Sequence, residues 1–226
     1  LLDVSIDRNF SQISLLVMNE EGYKNLLYLS SISHTKQKYQ VGVSLEDVLN
    51  YSNGLIAYVG GEYNPLLFYK LQNKFEESKK IINSLINCFK DNFYIEIQRI
   101  KDSKLDDYEN ELIQLAYDFK IPLIASNNIK FINEEDYNAH DVLLCIANKS
   151  TINQDKRIRS NPNLFFKDTK KMYELFNDIP EIIENNFKVA LKCKFYSKES
   201  NPKLPKFISE SGLNEESELI NNAKEG

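Results

Sequence analysis

Apolar and polar positions alternate at the start of the chain, where Leu2, Val4 and Ile6 are separated by Asp3, Ser5 and Asp7. A period of two marks a strand with one buried face. A second extended run, Gln12 to Met18, follows the polar turn Asp7-Arg-Asn9, so the two runs read as a β-hairpin. After Asn19-Glu-Glu-Gly22 the spacing becomes helical. Leu26, Leu27, Leu29 and Ile32 predict a short amphipathic helix, followed by a polar loop from Ser33 to Gln40 that holds His34, a solvated loop histidine on this reading.

Ser44 is a suitable N-cap for a helix over Leu45–Tyr51, with Asp47 offering a variant of the capping box. Leu55–Val59 reads as a strand. The Gly60-Gly-Glu62 that follows lacks the spacing of a Rossmann or Walker phosphate loop and reads as a tight strand-to-helix turn. Asn64-Pro65 opens a helix with proline in the first turn. Lys74–Phe89 predicts a longer helix burying Phe75, Ile81, Ile82, Leu85, Ile86 and Phe89.

The centre of the pattern is a strand, crossover helix, strand unit. Phe93-Tyr-Ile-Glu-Ile-Gln98 and Ile121-Pro-Leu-Ile-Ala-Ser126 are short β-rich runs, and between them Tyr108, Leu112, Leu115, Ala116 and Phe119 recur at helical spacing over Asp106–Lys120. Such units make their strands parallel, and ligands in α/β folds gather beyond the carboxyl ends of the strands. Glu96, Gln98, Asn127, Asn128 and Lys130 are therefore expected on one rim. The expected fold is α/β: a mostly parallel sheet with strands near Leu55–Val59, Phe93–Gln98 and Ile121–Ser126, flanking helices and the amino-terminal hairpin beside it.

Beyond this unit, Glu134-Glu-Asp136 opens a helix whose acidic first turn suits the helix dipole, with Ala139, Val142, Leu143 and Ile146 as its apolar face. His140 heads that helix and reads as a hydrogen-bonded structural histidine, with residual ligand binding at a polar rim as the alternative. Lys156-Arg-Ile-Arg159 reads as a solvated basic turn, with a phosphate contact as the alternative. Helices over Thr169–Phe176 and Pro180–Lys194 follow, then a polar, proline-bearing linker from Ser197 to Pro205 and a helix over Asn214–Lys224.

Composition changes this picture little. With 226 residues the chain has enough apolar sequence for a sizeable core, and a formal charge of -5 argues against a surface that binds nucleic acid all over. Cys88, Cys145 and Cys193 are widely spaced, unlike metal-ligand pairs, and read as buried thiols of a reducing, cytoplasmic protein. No apolar run is long enough for a membrane helix. The chain opens without methionine in what looks like mid-strand, so it is expected to be a fragment.

Several stretches together resemble one family. Ala125-Ser-Asn-Asn-Ile-Lys-Phe131, Asn138-Ala-His-Asp-Val-Leu-Leu-Cys-Ile146 and Phe165-Phe-Lys-Asp-Thr-Lys-Lys-Met-Tyr-Glu-Leu-Phe176 are similar to the amino-terminal region of the alpha subunit of bacterial DNA polymerase III, its polymerase and histidinol phosphatase (PHP) domain. Asn19-Glu-Glu-Gly-Tyr-Lys-Asn-Leu27, Gly54-Leu-Ile-Ala57, Phe93–Arg99 and Leu204-Pro-Lys-Phe207 extend the likeness over nearly the whole chain. The resemblance implies that the sheet is part of a distorted PHP-type (β/α)7 barrel. Residues 1-196 would be the PHP domain lacking its first part, and 197-226 a linker and the start of the polymerase domain.

It also implies what the pocket once held. Intact PHP sites use histidines and carboxylates to hold metal ions for phosphoester hydrolysis. Where such relatives have an aspartate and then a histidine after the strand ending near Ser126, this chain has Asn128 and Lys130. Where they have a histidine after the strand ending at Gln98, it has Ile100. An amide is a weak ligand and an ammonium repels the ion. The expected site is thus a degenerate pocket of Glu96, Gln98, Ile100, Asn127, Asn128, Lys130 and His140, with no metal and no catalytic residue of its own. If the pocket is enclosed, Lys130 should pair with Glu96. The parent implied by the resemblance is a magnesium-dependent DNA polymerase whose partners are the proofreading exonuclease subunit, other replisome subunits and, through other domains, primer-template DNA. The rival readings are a working metal-dependent phosphoesterase or 3'-5' exonuclease using Glu96, His140 and the histidines that the resemblance places upstream of this chain, and a protein-interaction module unrelated to replication.

Overall fold

Strands β1 (Leu2–Ile6) and β2 (Asn9–Val17) pair antiparallel, with Leu2 opposite Ile13 and Ile6 opposite Asn9, which is the hairpin that the alternation predicts. The structure, a computed structural model, describes residues 2–6, 9–35, 42–61, 63–100, 108–199, 201–202, 204, 209 and 211–226. Asp7 and Arg8 of the predicted Asp7-Arg-Asn9 turn, Glu62, the helix start at Asp106 and most of the Leu204–Phe207 stretch lie outside these residues, while Asn9 already belongs to β2. Two compact units divide the chain, Leu1–Phe195 and Tyr196–Gly226.

In the first unit, β3 (Val43–Ser44), β4 (Leu55–Val59), β5 (Phe93–Gln98) and β6 (Leu123–Ser126) complete a six-stranded sheet of order β3-β1-β2-β4-β5-β6. β2 meets β4 antiparallel. The β1–β3, β4–β5 and β5–β6 pairs are parallel, and Ile95 lies opposite Leu123 as the central unit requires.

Side-chain parity divides this sheet into two faces. Ile13, Leu15 and Val17 of β2, Leu55, Ala57 and Val59 of β4, Phe93, Ile95 and Ile97 of β5, and Leu123 and Ala125 of β6 join the main core. Helices α1 (Glu20–Thr35), α2 (Leu45–Asn50), α3 (Pro65–Leu71), α4 (Phe75–Phe89) and α5 (Glu109–Phe119) supply its other side, through Leu29, Val48, Leu66, Leu85 and Leu112 among others. The opposite face carries a smaller cluster of Ile56, Tyr94, Ile124 and Val189, joined by Leu16 and Met18. Ser44 caps α2 as expected: its hydroxyl oxygen accepts from the Asp47 N–H at 3.0 Å.

Two expectations need correction here. His34 belongs to the last turn of α1 and not to a loop, because the helix runs on to Thr35. Phe75 is exposed at the first turn of α4, ahead of the turns that pack inward through Ile81, Ile82 and Leu85, so its apolar character does not signal burial.

Strand β6 is the last in the order, and its outer edge is met by asparagine side chains from α8 (Pro180–Lys192). The Asn186 amide accepts from the Ala125 N–H at 2.9 Å and donates to the Ala125 carbonyl at 2.8 Å, while Asn185 donates to the Leu123 carbonyl at 2.9 Å. One amide thus reproduces both ladder bonds of a missing strand and blocks the edge against foreign pairing. Replacing Asn186 with alanine leaves a buried N–H and a carbonyl unpaired. A loss of about 1–3 kcal/mol is expected in a denaturant titration.

At the far end of β5, Arg99 ties three segments together. It forms a bidentate pair with Glu109 of α5 (Nη2 to Oε1 2.6 Å), a second with Asp178, and donates from Nη1 to the Leu175 carbonyl at 2.6 Å at the end of α7 (Thr169–Leu175). Its guanidinium lies 4.9 Å from the Phe176 ring centroid. In the second unit, α9 (Glu215–Glu225) is capped by Asn214, whose side-chain oxygen accepts from the Ser217 N–H at 2.8 Å. Among the described residues no helix is long and apolar enough to cross a membrane.

Candidate functional site: a polar pocket at the strand ends

The face that is apolar around Ile56, Tyr94 and Ile124 turns polar two residues further along each strand. Parity puts Tyr58 after Ile56, Glu96 and Gln98 after Tyr94, and Ser126 after Ile124, with Gln12 and Ser14 on the same face of antiparallel β2. These six residues line a cavity of about 380 Å³ together with Val59, Gly60, Gly61, Tyr63, Asn64 and Asn127–Ile129.

Glu96 is the centre of the pocket and is only 6% exposed. The Ser126 hydroxyl donates to its Oε1, and the Gln98 side chain and the Gly61 N–H donate to the same carboxylate. Burial pushes the carboxyl above the ordinary glutamate value, and the three donors oppose that rise. Burial likewise raises the Tyr58 phenol, which is hydrogen-bonded with Ser14. Asn64 fixes the glycine turn, donating to the Gly61 carbonyl at 2.5 Å and accepting from the Leu67 N–H at 2.9 Å. Gly60 is there because of closeness: a Cβ on it would stand 1.9 Å from the Glu96 carbonyl oxygen.

The raised value has a consequence for stability. Folded Glu96 holds its proton more tightly than the unfolded residue, so its favourable contribution is full below the ordinary glutamate value. That contribution is lost as pH rises through the higher folded value. Glu96→Gln should flatten this part of the profile and leave the variant at least as stable as the parent at neutral pH, as measured by melting temperature against pH. A wild-type-like slope in the variant would show that another group is responsible.

Of the seven residues expected in the pocket, Glu96, Gln98, Asn127 and Asn128 line it. Ile100, Lys130 and His140 do not. Ile100 is buried beyond the end of β5. Lys130 is exposed, and the expected Lys130–Glu96 pair is not formed. The cause is local. β6 ends at Ser126, the Ile129 N–H turns back to the Asn127 carbonyl at 2.8 Å, and the Lys130 N–H donates to the Leu164 carbonyl at 2.8 Å, so strand parity no longer directs the side chain.

His140 stands on α6 (Tyr137–Ala147), its Nδ1 2.6 Å from the Ser160 hydroxyl and its ring 5.4 Å from that of Phe131. The same helix overturns its predicted apolar face. Val142, Leu143 and Ile146 are 46%, 60% and 70% exposed, and the buried positions are Asp141 and Cys145. Asp141 is buried as one half of an ion pair. The Asp141 carboxylate takes both Nη atoms of Arg157, at 2.9 and 2.6 Å, and the Ser160 N–H at 3.0 Å. The Arg157 side chain is 1% exposed, so the basic turn is not simply solvated. Arg157 holds the Asp141 carboxyl down at about 2.

Among the lining residues missed from sequence are Gln12, Ser14, Tyr58, Tyr63 and Asn64, and three of these had one usable signal. Gln12, Ser14 and Tyr58 share the parity of Glu96 once strand order is known. As to a metal centre, the described lining offers Glu96 as its single carboxylate and no imidazole, and among the described residues no group of three or more His, Cys, Asp or Glu side chains converges. That donor set does not fit a phosphoesterase metal cluster, which needs several anionic oxygens and neutral imidazoles.

An α/β sheet with a polar cavity at its carboxyl rim agrees with the family comparison, in which residues 2–100 match the model of the PHP domain. The class of the region is therefore PHP. Over almost its whole length the chain is similar to DNA polymerase III subunit alpha. It is 36% identical to that of Caulobacter vibrioides over 216 residues (95% of this chain, 19% of the relative) and 35% identical to that of Rickettsia bellii over 222 residues (96% and 19%). It is 38% identical to that of Borreliella burgdorferi over 186 residues (79% and 16%). The chain is a PHP region of the type found in DNA polymerase III alpha subunits, and it spans about a fifth of the length of these relatives.

Proposed function

We propose that the chain is a non-catalytic, structural PHP domain of a replicative DNA polymerase III alpha subunit, with residues 1-196 forming that domain and 197-226 a linker into the polymerase. The sheet on this reading is one arc of a distorted (β/α)7 barrel whose interior is the face carrying Glu96. DNA-directed DNA synthesis, its magnesium requirement and the contacts to primer-template DNA belong to other domains of the parent. This domain provides a docking surface for the proofreading exonuclease subunit and other replisome subunits.

The observation that carries the non-catalytic reading is the pocket's chemistry. Its described lining holds one carboxylate among amides and hydroxyls, with Asn128 at its rim, while Lys130 and His140 are not part of that lining. Titration of the full-length protein with Zn²⁺ or Mn²⁺, together with phosphomonoester and 3'-5' exonuclease assays, tests it. No micromolar binding dependent on Glu96 and no turnover lost on Glu96→Gln are expected. Tight metal binding with Glu96-dependent hydrolysis would establish the phosphoesterase reading instead.

A further inference from the structure

The described lining of the pocket contains one formal charge, Glu96, and no described cation pairs with it. Among the described residues Glu96 meets neutral donors, Ser126, Gln98 and the Gly61 N–H, and no described ion pair reaches it. A carboxylate removed from water without a cation is costly. The cavity beside it, about 380 Å³, is too large to be filled by one bare monovalent ion and is walled by Tyr58 and Tyr63 as well as by amides and hydroxyls. Aromatic and carboxylate groups around a polar cavity are elements that recognise an organic ammonium ion.

We propose that this pocket binds a small organic monocation, a primary ammonium, through Glu96, with the Ser14, Tyr58 and Asn128 side chains as further polar contacts and the tyrosines enclosing its alkyl part. This deepens the proposed function, resting on its reading that the pocket does not hold the metal cluster. The ammonium ion pairs with Glu96 and stabilises the ionised carboxylate. Binding therefore weakens as pH falls and Glu96 takes up its proton.

The test uses the full-length protein and n-butylammonium chloride, with sodium chloride at matched ionic strength as the control. Two measurements are made: calorimetric titration, and ¹³C NMR of the Glu96 side-chain carboxyl in the unmodified protein, which needs no variant to fold. Saturable binding, a downward movement of the Glu96 titration midpoint, and a loss of at least about tenfold in affinity in Glu96→Gln support the proposal. An unmoved midpoint, no saturation beyond the sodium control, or unchanged affinity in Glu96→Gln overturns it. A parallel Zn²⁺ titration separates the two readings. Micromolar, Glu96-dependent zinc binding with turnover defeats the proposed function and this inference with it. Absence of both zinc and ammonium binding overturns this inference alone.

Discussion

Gly60→Ala should cost the protein at least about 2 kcal/mol, at the upper end of what overpacking a tight site does, or prevent folding outright. The added Cβ would sit 1.9 Å from the Glu96 carbonyl oxygen and 2.8 Å from the Glu96 Cβ. Neither neighbour can yield cheaply, since both lie on the backbone or first side-chain atom of a central strand paired on both sides. Relief requires β4 and β5 to separate where the pocket begins. Chemical denaturation of Gly60→Ala, with Gly61→Ala as companion, measures this. A Cβ on Gly61 meets only the far ends of the Gln98 and Glu96 side chains, at 3.4 and 3.7 Å, so that variant should stay within about 1 kcal/mol of the parent. Equal stabilities would show that the close approach of the strands is not what the glycine serves.

Arg99→Ala is the second change expected to act strongly, at about 2–3 kcal/mol. The arginine is 19% exposed and Glu109 17%, so its removal leaves a mostly buried carboxylate and the Leu175 carbonyl without their donors. Asp178 is 55% exposed and contributes little to that loss, since water solvates it. Lysine should not rescue the variant, because a point charge cannot serve Glu109, Asp178 and Leu175 at once. A double-mutant cycle of Arg99→Ala with Glu109→Gln should show coupling well above that of Arg99→Ala with Asp178→Asn. Equal couplings would place the effect in the solvent-exposed pair instead.

The two buried polar centres respond to pH in opposite senses. Arg157 lowers Asp141 from 3.8 to about 2, so its stabilisation is complete above the ordinary aspartate value and lost as pH falls from there towards about 2. Glu96, held above its ordinary value by burial, loses its favourable contribution as pH rises.

The sequence by itself determined the elements and the parallel central unit, because alternation and helical spacing are local properties. Leu2–Ile6, Leu55–Val59 and Phe93–Gln98 are strands, the Ile121–Ser126 run is a strand over Leu123–Ser126, and the hairpin, the Ser44 cap and most helices fall where periodicity places them, with α1 running on to Thr35 through the start of the expected loop. It also placed Glu96, Gln98, Asn127 and Asn128 at one rim, since parallel strands deliver their ends together. What only the tertiary structure decided begins where regular structure stops. Past Ser126 the backbone follows bonds to Leu164 and Phe165, so Lys130 is exposed and does not reach Glu96. On α6, apolar spacing predicted the wrong face. Asp141 is buried there in an ion pair with a residue sixteen positions away, and no pattern confined to one helix contains that partner. The asparagines of α8 that complete the β6 edge are equally invisible locally, because an amide acts as a strand only when the fold brings it to an unpaired backbone.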